Sequence, residues 1–187
     1  MKEYLKSFGI LTEEEINSFE QLLVTKKIKK GEFFIQEGKI SQEVAFIASG
    51  FFRSYYYNSN EEEVTYCFTF SNSFITAYSS FLSQTATSEN IQALTDVELY
   101  SISRDKILQL EQTSTNWLKF FKLIAEQEYI NLEKRIFMLQ TESAEKRYQD
   151  LLTNHPQLLQ LIPLHYLSSY LGITPRHLSR IRKSLQN

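Results

Sequence analysis

The chain has 187 residues, 42% hydrophobic and 14% aromatic, with a formal net charge of −2; that is enough apolar material for a packed core and excludes a disordered chain. The start, MKEYLKSFG, is polar, and no apolar run reaches the length of about 18 residues that spans a membrane, so the cytoplasm is the expected compartment. A single cysteine, Cys67, excludes an internal disulfide, an iron–sulfur cluster and a cysteine-built zinc site.

In chain order, Thr12-Glu13-Glu14-Glu15 predicts a helix start, with Thr12 as cap and the acids favouring the N-terminal dipole. Ile16, Phe19, Leu22 and Leu23 supply its apolar face. From about Thr25 to Ser103 the runs EFFIQEG, EVAFIASGFFRSYYYN, EVTYCFTF and VELYSIS alternate with glycine and Asn/Ser turns, the pattern of an antiparallel sandwich or roll. Cys67 reads as a buried strand residue. Tyr55, Tyr56, Tyr57, Tyr66 and Tyr78 read as half-buried strand residues, with a pocket lining as the other possibility. Lys26-Lys27 and Lys29-Lys30 read as a solvated strand edge. Tyr78–Leu82 predicts one helical turn, and helix resumes at Ser103–Leu108.

A long helix follows over about Thr115 to Gln140. Leu118, Phe121, Ala125, Tyr129, Leu132, Ile136 and Leu139 form a continuous apolar stripe, with Trp117, Phe120, Ile124, Ile130 and Phe137 outside it. Two apolar faces require two neighbours, and we assign the stripe to a homodimer interface with the same helix of a second copy. Thr141–Glu145 is the expected hinge, and a shorter helix through Arg147–Leu152 ends at His155-Pro156.

The segment Pro163–Leu185 reads as two short helices around Gly172. Leu164, Leu167 and Leu171, then Leu178, Ile181 and Leu185, recur at helical spacing. Thr174 caps the second helix and Pro175 takes its first position. That helix exposes Arg176, His177, Ser179, Arg180 and Lys183, and no acid follows Thr174. An apolar underside with a cationic upper face suits the DNA major groove, so this is a helix-turn-helix. The charge distribution agrees: residues 141–187 carry six Lys and Arg against three acids, and residues 1–140 carry fourteen against nineteen.

The order of parts, an α+β chain with a β-roll, a long helix, a hinge and a helix-turn-helix, resembles the cyclic-AMP receptor protein/FNR family of bacterial transcription regulators. It looks most like the short Bacteroidetes-type members. KKGEFFIQEGK and VAFIASGFFRSYYYN carry the resemblance in the roll, SAEKRYQDLL and YLGITPRHLSRIRKSL in the DNA-binding part. It implies a cyclic-nucleotide-binding-like jelly roll over 1–114, a dimerisation helix over 115–141 and a helix-turn-helix domain over 142–187. Double-stranded DNA, a second copy and RNA polymerase are the implied partners, with no membrane. The DNA-reading positions fall on Pro175, Arg176 and Arg180, and the phosphate-contacting hydroxyl on Thr174. His177, Ser179 and Lys183 are expected on the DNA backbone. Arg180 suits a bidentate pair with guanine; Arg176 replaces the type member's glutamate, so the operator should differ.

Two departures follow from the same comparison. The effector pocket would use Thr76, Ala77, Tyr78, Thr87, Ser88 and Glu89, with Thr76-Ala77 where the family has Gly-Glu. Thr87-Ser88 or Ser88-Glu89 stands in place of its Arg-Ser, so a cyclic phosphate would meet no arginine and cyclic AMP is not expected to bind. No cofactor and no metal are expected. The sequence also shows no β-hairpin wing after the second helix, which predicts a smaller DNA footprint. Residues 25–103 contain no histidine, which argues against haem in the roll and against a cupin-type enzyme. A ligand- or protein-binding roll that does not act through sequence-specific DNA binding remains the alternative.

Overall fold

Short apolar runs separated by turns build the strands β1 (Val24–Ile28), β2 (Phe33–Ile35), β3 (Glu43–Ser49), β4 (Phe51–Tyr57), β5 (Glu63–Phe70), β6 (Phe74–Ile75), β7 (Asn90–Ala93) and β8 (Val97–Ser103). The structure, a computed structural model, describes residues 1–154, 156 and 158–185. The strands pair antiparallel into two four-stranded sheets, ordered β1-β8-β3-β6 and β2-β7-β4-β5. Ala45, Ile47, Ile75, Val97 and Leu99 from one sheet meet Phe52, Ile91 and Ala93 from the other, and this interleaving fills the roll. Between β3 and β4, Gly50 turns with φ +82°, and a Cβ there would lie 2.4 Å from the Asp96 carbonyl oxygen. Only glycine fits that approach.

The helices are α1 (Lys2–Lys6), α2 (Glu13–Gln21), α3 (Tyr78–Ser83), α4 (Arg104–Thr113), α5 (Thr115–Thr141), α6 (Ala144–Asn154), α7 (Leu158–Leu161), α8 (Leu164–Tyr170) and α9 (Pro175–Ser184). Thr12 and Glu15 form a reciprocal capping box at the start of α2, as the sequence predicts for Thr12. The one-turn helix, the resumption after Ser103, the long helix and both members of the helix-turn-helix also lie where expected. His155, placed at the end of α6 by sequence, lies outside the described residues. β6, β7, α1 and α7 are additional; each is five residues or shorter, too short to display a period. β1 is an edge strand, as its lysines suggested, but the Lys26 ammonium is held 2.6 Å from Glu43.

Outside the roll, a second cluster joins Leu5, Ile16, Phe19, Phe81, Ile102, Ile107 and Leu110 to Trp117 and Phe120 at the start of α5. A third joins Tyr148, Leu151, Ile162, Leu167, Leu171, Leu178 and Ile181 with Phe51 of β4, so the C-terminal helices pack on one face of the roll. No helix among the described residues is long and apolar enough to cross a membrane.

Candidate nucleic-acid interface and effector region

Helix α9, the second of the helix-turn-helix and the expected recognition helix, is positioned by its cap and its underside. The Thr174 side chain accepts from the His177 amide at 3.2 Å, and Pro175 follows at the first helical position. Gly172 makes the turn with φ +67°. Leu178 and Ile181 are buried against Leu167 and Leu171, which leaves Thr174, Pro175, Arg176, Ser179, Arg180 and Lys183 exposed and His177 half-buried. These residues share one surface. Leu185, grouped by spacing with the buried face, is instead exposed. Arg182 turns inward: its Nε donates to the Tyr148 hydroxyl at 3.1 Å, and the guanidinium lies over that ring. It braces α9 against α6.

Two further arginines clamp the turn from below. Arg135 of α5 donates to the Tyr170 carbonyl at 2.7 Å, and Arg147 of α6 donates to the Leu171 carbonyl at 2.8 Å. These cations satisfy carbonyls at the end of α8 that the helix itself cannot.

Along α5, Leu118, Tyr129, Leu132, Ile136 and Leu139 are exposed, and so are Ile130 and Phe137. Phe121 stacks on Trp117 with ring centroids 5.6 Å apart and packs, with Ile124, against its own chain's core; Ala125 is half-buried. The helix therefore changes function along its length. Its first turns are anchored in the second cluster, beside the roll, and from Tyr129 onward it presents a broad apolar surface.

The proposed effector residues divide into groups. The Thr76 hydroxyl donates to the Glu43 carbonyl at 2.9 Å and lies 3.0 Å from the Ser41 hydroxyl. Thr87 is buried and exchanges backbone hydrogen bonds with Gly38 and Lys39. The segment 38–43 thus stitches the two ends together. Ala77 is buried; Tyr78 and Ser88 are exposed. Glu89 is half-buried, its carboxylate accepting from the Tyr66 hydroxyl. Burial holds the Glu89 carboxyl above the usual carboxylate range, and burial with the nearby Glu89 charge pushes the Tyr66 hydroxyl far above the usual tyrosine range. Among the six residues the only charge is this carboxylate, and none is a cation.

Sequence reasoning passed over Arg53. It is fully buried on β4, with its guanidinium 3.9 Å from the Tyr55 ring and 3.5 Å from the ring of Tyr166 on α8. Its Nη2 donates to Gln92 at 3.2 Å, and Nη1 lies 2.7 Å from Glu63 without hydrogen-bond geometry. A lone arginine inside the aromatic run FFRSYYY was the available signal, since a charge buried there needs partners from elsewhere.

Residues 25–114 match the family model of the cyclic nucleotide-binding domain. Among solved structures, the chain is similar to FixK2 from Bradyrhizobium japonicum, with a TM-score of 0.78 at 16% identity over 88% of this chain and 84% of that one. It is also similar to the c-di-GMP responsive global regulator CLP of Xanthomonas campestris, with a TM-score of 0.74 at 16% identity over 94% and 92%. A protein from Eubacterium rectale described as a transcriptional regulator of the Crp/Fnr family gives a TM-score of 0.77 at 16% identity over 98% and 88%. None of the curated proteins compared matches the chain.

Proposed function

We propose, from the match of residues 25–114 to the cyclic nucleotide-binding domain and the fold shared with FixK2 and the Eubacterium rectale protein, that the chain is a homodimeric, sequence-specific DNA-binding transcription regulator that does not respond to cyclic AMP. The observation that carries this reading is α9: a capped, acid-free helix whose Arg176, Ser179, Arg180 and Lys183 face solvent while its underside is sealed in a core. Such a surface matches the charge and hydrogen-bonding edges of the major groove. The exposed apolar half of α5 supports pairing with a second copy, which would set two recognition helices about 34 Å apart on a palindrome. On this reading 1–114 is a sensor-like roll, 115–141 the dimerisation helix and 142–187 the DNA-binding domain. The protein works on cytoplasmic DNA, with RNA polymerase as a further partner.

Glu89 where a phosphate ligand would need a cation supports independence from cyclic AMP. CLP, described as c-di-GMP responsive, illustrates that the fold serves other ligands. An effector would act by favouring one orientation of the two DNA-binding domains.

Selection of genomic fragments by the full-length protein, at two salt concentrations and with or without cyclic AMP, tests the proposal. An enriched palindrome unaffected by cyclic AMP is expected. A cyclic-AMP-dependent palindrome would overturn the pocket reading. Only salt-labile, sequence-blind binding would point to a partner-binding roll instead.

A further inference from the structure

The first helix of the helix-turn-helix, α8, does not hang free on the hinge. Its outward residues Tyr166, Ser169 and Tyr170 all meet the sheet face and edge formed by β4 and β5. β5 is the outer strand of its sheet, and an outer strand leaves backbone groups without a ladder partner. Ser169 supplies that partner: its hydroxyl accepts from the Thr65 amide at 2.9 Å and donates to the Glu63 carbonyl at 3.2 Å. One side chain thus stands in for a neighbouring strand. Tyr170 packs its ring on Phe68 at 5.2 Å, and Tyr166 covers the Arg53 guanidinium, which is sandwiched against Tyr55.

These contacts are directional. A purely apolar seat would let α8 slide, because burial is indifferent to angle, whereas a stacked guanidinium and a hydroxyl bridging two backbone groups admit one pose. The seat is also incompletely satisfied: Arg53 Nε and Nη1 and the Thr65 hydroxyl are buried without a hydrogen-bond partner. Leaving such groups unpaired costs stability, so the seat holds through a few specific contacts and depends on each. The residues of α9 assigned to DNA remain outside it.

We propose that Arg53 is a positioning residue for DNA recognition: by locking Tyr166 onto β4, it mounts the helix-turn-helix on its own roll and holds the recognition helix at the angle a palindrome requires. This rests on the DNA-binding reading above. It also joins the mount to the candidate effector region, because β5 carries Thr65 and Phe68 at the α8 contact and, between them, Tyr66 against Glu89. A movement of β5 at Tyr66 would be felt at α8.

Binding of the full-length dimer to the selected palindrome and to an isolated half-site separates positioning from folding. A half-site engages one recognition helix and is indifferent to its orientation relative to the other; a palindrome depends on both. Arg53→Gln is expected to weaken palindrome binding by at least about tenfold, through loss of effective concentration at the second half-site, and to leave half-site binding within about twofold. Tyr166→Phe, which keeps the ring over the guanidinium, should bind as the unaltered protein does. Spin labels at the exposed positions Lys27 and Lys146, on one labelled chain diluted into unlabelled partner, should give one narrow distance that broadens in Arg53→Gln. If Arg53→Gln fails to fold, Tyr166→Leu removes the same stack from the other side and is read identically. Unchanged palindrome binding with an unchanged distance would overturn the proposal. So would an equal loss on both duplexes, which would mean a damaged domain, or tighter palindrome binding, which would mean an inhibitory contact. If the unaltered protein selects no palindrome, the DNA reading fails, while the distance measurement still decides whether Arg53 holds the mount.

Discussion

At the scale of single residues, the exposed cations of α9 are expected to divide into two kinds. Arg176 and Arg180 lie in the first two turns of a helix suited to the groove, so Arg176→Ala and Arg180→Ala should each cost about 1–3 kcal/mol of binding and relax selection at one base position. Lys183→Ala should weaken binding to all sequences alike and lower the salt slope by about one. Competition assays with single-base operator variants distinguish the two; uniform losses for both arginines would make them phosphate contacts. Glu89 yields a pH prediction. Its carboxyl titrates above the ordinary range in the folded chain, with burial the main cause. Between the ordinary value and the raised one, the folded chain keeps a proton that the unfolded chain releases, so stability falls as pH rises through that window. Denaturation midpoints of Glu89→Gln should gain on the unaltered protein as pH is raised across it. A gap independent of pH would assign the slope elsewhere. The carboxylate was visible in sequence as an obstacle to phosphate; its Tyr66 partner was not, because the two meet only when β5 and β7 share a sheet.

At the scale of elements, α5 serves two masters. Trp117 and Phe120 are almost wholly buried at its start, whereas Tyr129, Leu132, Ile136 and Phe137 lie in solvent further along. Leu132→Glu with Ile136→Glu should convert a dimer to a monomer in sedimentation analysis while the far-ultraviolet circular dichroism persists. Trp117→Ala should cost about 3–5 kcal/mol instead, as deletion of a large core side chain does. The periodic stripe was legible, since 3.6-residue spacing is written along the helix itself. Which turns would be covered by the same chain was not: Phe121 belongs to the stripe by spacing yet stacks on Trp117. The turn between β3 and β4 offers a second test at this scale. Gly50→Ala would force a side chain into the left-handed region, worth about 1–3 kcal/mol, and against the Asp96 carbonyl as well. A variant as stable as the parent in urea would show that this turn relaxes freely.

At the scale of the whole molecule, charge is unevenly spread, with six Lys and Arg against three acids in residues 141–187 and fourteen against nineteen in residues 1–140; on the proposed reading the basic end is the one that meets DNA. α5, α6 and the roll each hold α8 by a separate handle: Arg135 on the Tyr170 carbonyl, Arg147 on the Leu171 carbonyl, and Arg53 on the Tyr166 ring. If the proposed reading holds, these three contacts on one short helix make it the place where changes in the roll or in a dimer would be transmitted. On the proposed reading, α9 carries the chemistry of recognition and α8 its orientation.

The sequence by itself determined the kinds and order of the parts: a capped helix at Thr12, a β-rich middle, one long apolar-striped helix, and a helix-turn-helix marked by Gly172, Thr174 and Pro175. Those signals are local, since capping, turn geometry and hydrophobic period act between residues a few positions apart. Only the tertiary structure decided how the parts are mounted. Arg53 finds Glu63, Gln92 and Tyr166 in three separate stretches of chain, and Ser169 finds the open edge of β5. A buried charge and an unpaired strand edge announce that partners are required; which residues meet them depends on how distant segments fold together, and no local pattern encodes that.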